Sequence, residues 1–133
     1  MTLVTHLNFP GNCEEAFRFY ADVLDGEIRD LVPFSKTPAS DHVPEDWRDK
    51  IWQARLRVGA TEIMATDTPP HMFLKPQGFG VTINIDDPEQ AKVVFDRLSD
   101  GGSIAVDLHE NFWARKFGIV TDRFGTPWVV NCA

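Results

Sequence analysis

Two stretches decide the fold: Asn12–Gly26, which reads NCEEAFRFYADVLDG, and Asp87–Gly102, which reads DPEQAKVVFDRLSDGG. Each begins with a capping residue, Asn12 or Asp87, has Glu or Gln three residues later, and repeats apolar residues along one helical face. Each ends at glycine, as helices often do. At an offset of 75 residues the stretches match at three positions: Ala16 with Ala91, Tyr20 with Phe95 and Gly26 with Gly101. The chain is therefore predicted to contain two copies of one module.

Alternating apolar and polar residues around the helices predict strands. In the first half they cover Leu3–Phe9, Glu27–Phe34, Ile51–Val58 and Thr61–Thr66, and in the second half Phe79–Ile85, Ser103–Leu108, Phe117–Thr121 and Pro127–Cys132. Each half thus reads β-α-β-β-β, which predicts one α+β domain with module 1 at about 1–67, a linker at about 68–78 and module 2 at about 79–133. Each sheet has a helix on one face only, so the bare faces are expected to curve around a shared cavity.

Composition and charge exclude several classes of partner. The 133 residues carry a formal net charge of −7 and no cluster of Lys and Arg, so nucleic acids and anionic membranes are poor partners. No apolar run approaches the roughly 20 residues of a transmembrane helix, and the N-terminus lacks the pattern of a signal peptide. We therefore expect a soluble cytoplasmic protein. Its two cysteines, Cys13 and Cys132, are expected to be free thiols.

Three segments carry a resemblance to a known family. Asn8–Phe17 with Phe19 and Tyr20, Glu110–Gly118 (ENFWARKFG) and Thr121–Asn131 (TDRFGTPWVVN) resemble the PhnB-like branch of the vicinal-oxygen-chelate superfamily, also called the glyoxalase/bleomycin resistance protein/dioxygenase superfamily. The resemblance implies paired βαβββ modules in a curved, mostly antiparallel eight-stranded sheet, the glyoxalase-like fold, and usually a homodimer. It also implies that members of the wider superfamily hold a divalent metal that chelates a substrate. No glycine-rich loop lies between a strand and a helix to hold a methyl donor.

The metal site that the resemblance implies is incomplete in this sequence. The superfamily takes His or Glu ligands from the first and fourth strands of each module, and only His6 and Glu62 qualify here. Met64 stands at the usual ligand position, and Gln53 stands where many relatives of this branch have His. A catalytic divalent metal needs about three protein ligands and an open position. No cofactor is therefore predicted, and His6 and Glu62 remain weak candidates for a divalent metal.

Aromatic side chains provide a second candidate site. The predicted ligand-binding residues are His6, Trp52, Gln53, His109, Phe112, Trp113, Phe117 and Trp128. A carboxyl group against such aromatic walls could act as an acid or a base, with Glu110 the first candidate and Asp122 the second. The alternative is structural: the aromatic residues fill a core or a dimer interface, and Asp122 forms a turn.

Three functions stay open from the sequence. The first is a small-molecule-binding protein that takes a planar or amphipathic ligand without the full metal site. The second is a divalent-metal-dependent enzyme of the glyoxalase or dioxygenase type. The third is a dimeric structural or interaction domain whose aromatic residues are already covered.

Overall fold

The computed structural model describes residues 1–133, which divide into two compact units, unit 1 at Met1–Leu74 and unit 2 at Lys75–Ala133. Unit 1 contains β1 (Thr5–Phe9), α1 (Cys13–Val23), β2 (Glu27–Pro33), β3 (Ile51–Val58) and β4 (Thr61–Asp67). Unit 2 contains β5 (Val81–Asn84), α2 (Pro88–Ser99), β6 (Ser103–His109), β7 (Lys116–Thr121) and β8 (Pro127–Cys132). The α+β class and the two βαβββ modules are confirmed. Between β2 and β3 the chain forms three short 3-10 turns, at Phe34–Lys36, Pro38–His42 and Glu45–Trp47.

Each unit forms a four-stranded sheet, with strand order β1-β4-β3-β2 in unit 1 and β5-β8-β7-β6 in unit 2. Most strand pairs are antiparallel, as predicted, but β1 pairs with β4 and β5 pairs with β8 in parallel. The parallel pairing follows from the connections: the helix returns the chain, so the second strand runs parallel to the first. The chain then reverses direction twice, at the two antiparallel pairs, which brings the fourth strand back in that same direction, next to the first.

The core of each unit lies between its helix and one face of its sheet. The α1 side chains that pack there include Ala16, Phe17 and Tyr20, and those of α2 include Ala91 and Phe95. All five are at least 97% buried. The alternate strand residues point to the opposite face of each sheet, and that face carries several of the predicted site residues, among them His6, Glu62 and Phe117. No helix of the structure combines the length and the apolarity that crossing a bilayer requires.

The two helices are capped in different ways. At α2 the side chain of Asp87 accepts hydrogen bonds from the backbone N–H groups of Glu89 and Gln90, as predicted. At α1 the predicted cap is wrong, because the side chain of Asn12 accepts no capping hydrogen bond. The carboxylate of Asp67, at the end of β4, binds this helix start instead and accepts a 3.0 Å hydrogen bond from the N–H of Cys13.

The glycines that end the helices show where the two copies differ by one residue. Gly102, and not Gly101, is the structural counterpart of Gly26: a Cβ at Gly26 would lie 2.9 Å from the carbonyl oxygen of Arg57, and one at Gly102 would meet the carbonyl oxygen of Thr121. The sequence separation between matching residues of the two copies grows by one at this point, because α2 has 12 residues and α1 has 11.

Candidate functional site

The predicted metal candidates lie in unit 1, on the sheet face opposite α1. His6 of β1 is exposed, and its backbone partner on β4 is Met64. Glu62 of β4 lies with one carboxylate oxygen 3.7 Å from Nη1 of Arg55 on β3. A guanidinium beside a carboxylate competes with any cation for that carboxylate. His6 and Glu62 therefore share a sheet face, but Glu62 already has a charged partner.

Gln53, which stands where many relatives have His, is also engaged by the protein. Its amide donates a 3.3 Å hydrogen bond to Oδ2 of Asp30, and Nε of Arg55 donates to the same oxygen. Arg55 thus lies between Asp30 and Glu62 and links three neighbouring strands. Trp52 on β3 is 43% exposed. Nowhere does the structure bring together three or more His, Cys, Asp or Glu side chains that could hold a metal ion. The donor set thus falls short of a catalytic metal centre.

A groove of about 540 Å³ lies at the start of α1 in unit 1. Its lining side chains are of mixed charge and include Asn12, Glu14, Glu15, Arg18, Asp49 and Lys50. The charges partly cancel, since Arg18 forms an ion pair with Glu14 at 2.9 Å. Two polar atoms nearby, Oδ1 of Asn12 and Nε1 of Trp47, are buried without a hydrogen-bond partner.

Cys13, the first residue of α1, is fully buried. Burial raises the pKa of its thiol far above the ordinary value, and the neighbouring carboxylate of Asp67 raises it further. Burial also raises the pKa of Asp67, although three backbone N–H bonds and Lys50 oppose that shift. A fully buried thiol with a raised pKa is a poor nucleophile, which favours a packing role for Cys13.

Four aromatic side chains of unit 2 form one continuous series, which we call the aromatic chain: Phe112, Trp113, Phe117 and His109. Ring centroids lie 4.6 Å apart for Phe112 and Trp113, 5.4 Å for Trp113 and Phe117, and 6.1 Å for Phe117 and His109, each pair edge to face. Phe112 is 95% exposed and Trp113 53% exposed. The structure thus brings together four of the predicted ligand-binding residues on one accessible surface.

The loop that carries Phe112 and Trp113 is tied down at both ends. Oδ1 of Asn111 accepts hydrogen bonds from the N–H groups of Trp113 and Ala114. Arg115 donates to the backbone carbonyl oxygens of Ala133 and Asp86, at 2.8 and 2.7 Å. These bonds fix the backbone of the loop that presents two large apolar side chains at the surface, which lowers the entropic cost of ordering that loop when a ligand binds.

Two amide side chains, which we call the amide pair, lie beside the aromatic chain on the same sheet face. Nδ2 of Asn131 donates a 3.1 Å hydrogen bond to Oδ1 of Asn84. Asn131 is the backbone partner of Phe117 on β7, which places the amide pair next to the aromatic chain. Sequence reasoning missed Asn84, because its contact with Asn131 depends on the register of β5 and β8.

His109 ends the aromatic chain on β6. Its Nδ1 lies 2.9 Å from the carbonyl oxygen of Asp107, and because a carbonyl only accepts, Nδ1 carries a proton. In the neutral ring Nε2 is then an acceptor.

The remaining predicted residues of unit 2 lie elsewhere. Glu110 is exposed to solvent. Asp122 is 3% exposed, and its carboxylate accepts hydrogen bonds from the N–H groups of Phe124 and Thr126 and from the indole Nε1 of Trp128. These bonds are those of a turn-forming aspartate. Trp128 is fully buried on the helix side of the sheet and does not join the aromatic chain.

Comparison with known proteins identifies the family. A sequence model of the family described as 3-demethylubiquinone-9 3-methyltransferase matches residues 1–131. The crystal structure of protein PA1353 from Pseudomonas aeruginosa is 41% identical, has a TM-score of 0.90, and the match covers 99% of this chain and 97% of that one. A Bacillus cereus protein, described as a putative 3-demethylubiquinone-9 3-methyltransferase, PhnB protein, is 24% identical over 100% of both chains, with a TM-score of 0.84.

The fold extends to more distant structures. A member of the glyoxalase/bleomycin resistance protein/dioxygenase superfamily from Sphaerobacter thermophilus is 15% identical, with a TM-score of 0.61 over 100% of this chain and 98% of that one. The resemblance read from the sequence motifs is thereby confirmed. The chain belongs to the PhnB-like family described as 3-demethylubiquinone-9 3-methyltransferase and has the glyoxalase-like fold of that superfamily.

Proposed function

We propose that this protein binds a small planar or amphipathic molecule on the aromatic chain of unit 2 and that binding needs no divalent metal. The observation that carries the proposal is the exposure of Phe112 and Trp113 on a loop held in place by Asn111 and Arg115. Exposed apolar rings that lie together, with polar groups beside them, mark surfaces that bind a partner or a ligand.

The donor set of unit 1 supports the metal-free form of the proposal. Only His6 and Glu62 were candidates, and Arg55 is the nearby partner of Glu62. A metal held by these two side chains would have to displace Arg55 and still find a third ligand. The aromatic chain, in contrast, needs no such rearrangement.

The experiment is a ligand titration followed by tryptophan emission and thermal shift, with naphthol, naphthalene sulfonate, anthraquinone and phenanthridinone as probes. We expect saturable binding of at least one neutral probe, with the same affinity in EDTA and in added nickel, zinc, manganese or iron(II). Trp113→Ala is expected to weaken binding about tenfold, because it removes the largest ring of the aromatic chain. Trp52→Ala is the comparison variant: Trp52 is also an exposed tryptophan and a predicted ligand-binding residue, but it is not part of the aromatic chain, so the proposal expects this variant to bind each probe with unchanged affinity.

Two results would contradict the proposal. Binding that appears only with added metal, together with at least stoichiometric metal in protein purified without chelator, favours the metal-dependent enzyme. Absence of binding for every probe, together with a sedimentation coefficient that shifts on Trp113→Ala, favours an interaction domain in which a second copy covers the aromatic chain.

A further inference from the structure

The strand register of unit 2 places four side chains in one row across the open face of the sheet. His109, Phe117, Asn131 and Asn84 are successive backbone partners on β6, β7, β8 and β5. Partners in neighbouring strands point to the same face. With strands about 4.8 Å apart, the row measures about 14 Å from His109 to Asn84. It is aromatic at one end and carries amides at the other.

The amide pair keeps one donor and one acceptor that its own hydrogen bond does not use. The bond from Asn131 to Asn84 uses one N–H and one oxygen, and it leaves Nδ2 of Asn84 as a donor and Oδ1 of Asn131 as an acceptor. Exchanging the oxygen and nitrogen of both amides still leaves one donor and one acceptor. The group that complements this arrangement is a cis amide within a ring, a lactam, which offers its carbonyl and its N–H on the same edge.

The charges around the row favour a neutral ligand. None of the four side chains of the row is a carboxylate or a permanent cation, and Arg115 on the neighbouring loop is held by two backbone carbonyl oxygens. The chain as a whole carries a formal charge of −7, which disfavours anions. Within the row itself an anionic ligand would therefore lose its hydration without gaining an ion pair.

The spacing fixes the size of the ligand. From the amide of Asn131 to His109 the row covers two strand spacings, about 10 Å, which matches the long dimension of two or three fused six-membered rings. Such a ring system can contact Phe117 and Trp113 with its apolar part while its edge faces the amide pair. At the far end Nε2 of His109, in the neutral ring, is available to accept a hydrogen bond from a hydroxyl or N–H group of the ligand.

We infer that the ligand is a neutral, planar molecule of two or three fused rings whose lactam edge binds the amide pair Asn84–Asn131. The inference rests on the proposed function, because it names the chemical class of molecule that the aromatic chain takes. It adds a role for Asn84 and Asn131 that the aromatic residues alone do not provide.

The test compares phenanthridinone, a neutral three-ring lactam, with N-methylphenanthridinone, which has the same rings but no N–H. On the unmodified protein we expect the lactam to bind about tenfold more tightly, since the methyl group removes one hydrogen bond and obstructs the second. Each of the variants Asn84→Ala and Asn131→Ala should lower the affinity for the lactam to that for the methylated compound. Neither variant should change the affinity for the methylated compound. Thr82→Ala, an exposed change on the same strand as Asn84, is the matched control and should alter neither affinity.

The outcomes separate this inference from the proposed function. Equal affinities for the two compounds, or a lactam affinity that neither asparagine variant changes, overturn the lactam inference. The proposed function stands in that case if Trp113→Ala weakens both compounds alike. If neither compound binds, the inference is overturned, and the wider probe titration decides the proposed function separately. The comparison of the two compounds requires no variant, so its result does not depend on how the substitutions fold.

Discussion

Replacing Asp67 with asparagine is expected to destabilise the protein by about 1–3 kcal/mol, the cost of one buried N–H left without an acceptor. In the structure Oδ1 accepts from the N–H groups of Gly11 and Cys13, at 3.1 and 3.0 Å, and an amide oxygen can replace it. Oδ2 accepts from the N–H of Ile51 at 2.8 Å, and there asparagine would present an NH₂ group to another donor. Two of the three bonds are therefore retained and one becomes a donor–donor contact.

The expected change is large enough to measure by thermal unfolding. For a chain of 133 residues the entropy of unfolding is about 280 cal/mol/K, so 1 kcal/mol shifts Tm by roughly 3–4 °C. Asp67→Asn should therefore lower Tm by roughly 4–11 °C. Asp46→Asn is the control, because Asp46 is exposed in the same unit, and such a surface change alters stability by no more than about 0.5 kcal/mol.

The difference in Tm between the unmodified protein and Asp67→Asn should depend on pH, and that dependence tests the environment of Asp67 directly. Because burial raises the pKa of Asp67, the folded protein keeps the proton to a higher pH than the unfolded chain does. Between the two pKa values the folded state binds more protons, so stability falls as pH rises. The stability that the protonated carboxyl group of Asp67 contributes is fully present below the unfolded pKa of about 3.9. This stability is lost as the pH rises through the folded pKa. The Tm difference between the unmodified protein and Asp67→Asn should therefore narrow as pH rises from acid to neutral. A difference that widens, or a Tm change below about 2 °C at every pH, would refute this reasoning.

Three further outcomes follow from the structure. Asn12→Ala should change stability by less than about 0.5 kcal/mol and Asp87→Ala should cost about 1 kcal/mol in chemical denaturation, because only the second side chain caps its helix; equal costs would contradict the assignment of caps. Gly118→Ala should cost about 1–3 kcal/mol, because its Cβ would lie 2.6 Å from a ring carbon of Phe95, and an unchanged denaturation midpoint would refute the contact. The thiol of Cys13 should not react with a thiol reagent at mildly alkaline pH until denaturant is added, and fast labelling of this residue in the folded protein would contradict its burial.

Local signals predicted the parts of the fold whose cause lies within a few residues. The cap at Asp87 and the strands Ile51–Val58 and Pro127–Cys132 were readable from adjacent residues and match the structure. The cap of α1 was not readable, because Asp67 is 54 residues away from Cys13 in the chain. Its place at the helix start depends on the parallel pairing of β1 and β4, which no local pattern records.

The candidate site also has one part that could be predicted from adjacent residues and other parts that could not. The aromatic chain could be predicted, since Phe112, Trp113 and Phe117 are close in sequence. The amide pair could not, because Asn84 and Asn131 meet only through the register of β5 and β8. Likewise, the ion pair that engages Glu62 depends on how β3 and β4 align.

The contrast between the two helix caps has a consequence for how each helix forms during synthesis. A nascent chain contains everything that α2 needs at its start as soon as Asp87 and the first turn have left the ribosome. The start of α1 lacks its acceptor until Asp67 has been added, so this helix should fray in any shorter fragment. The second copy of the module can therefore nucleate locally, whereas the first must close a loop of more than fifty residues before its helix is complete.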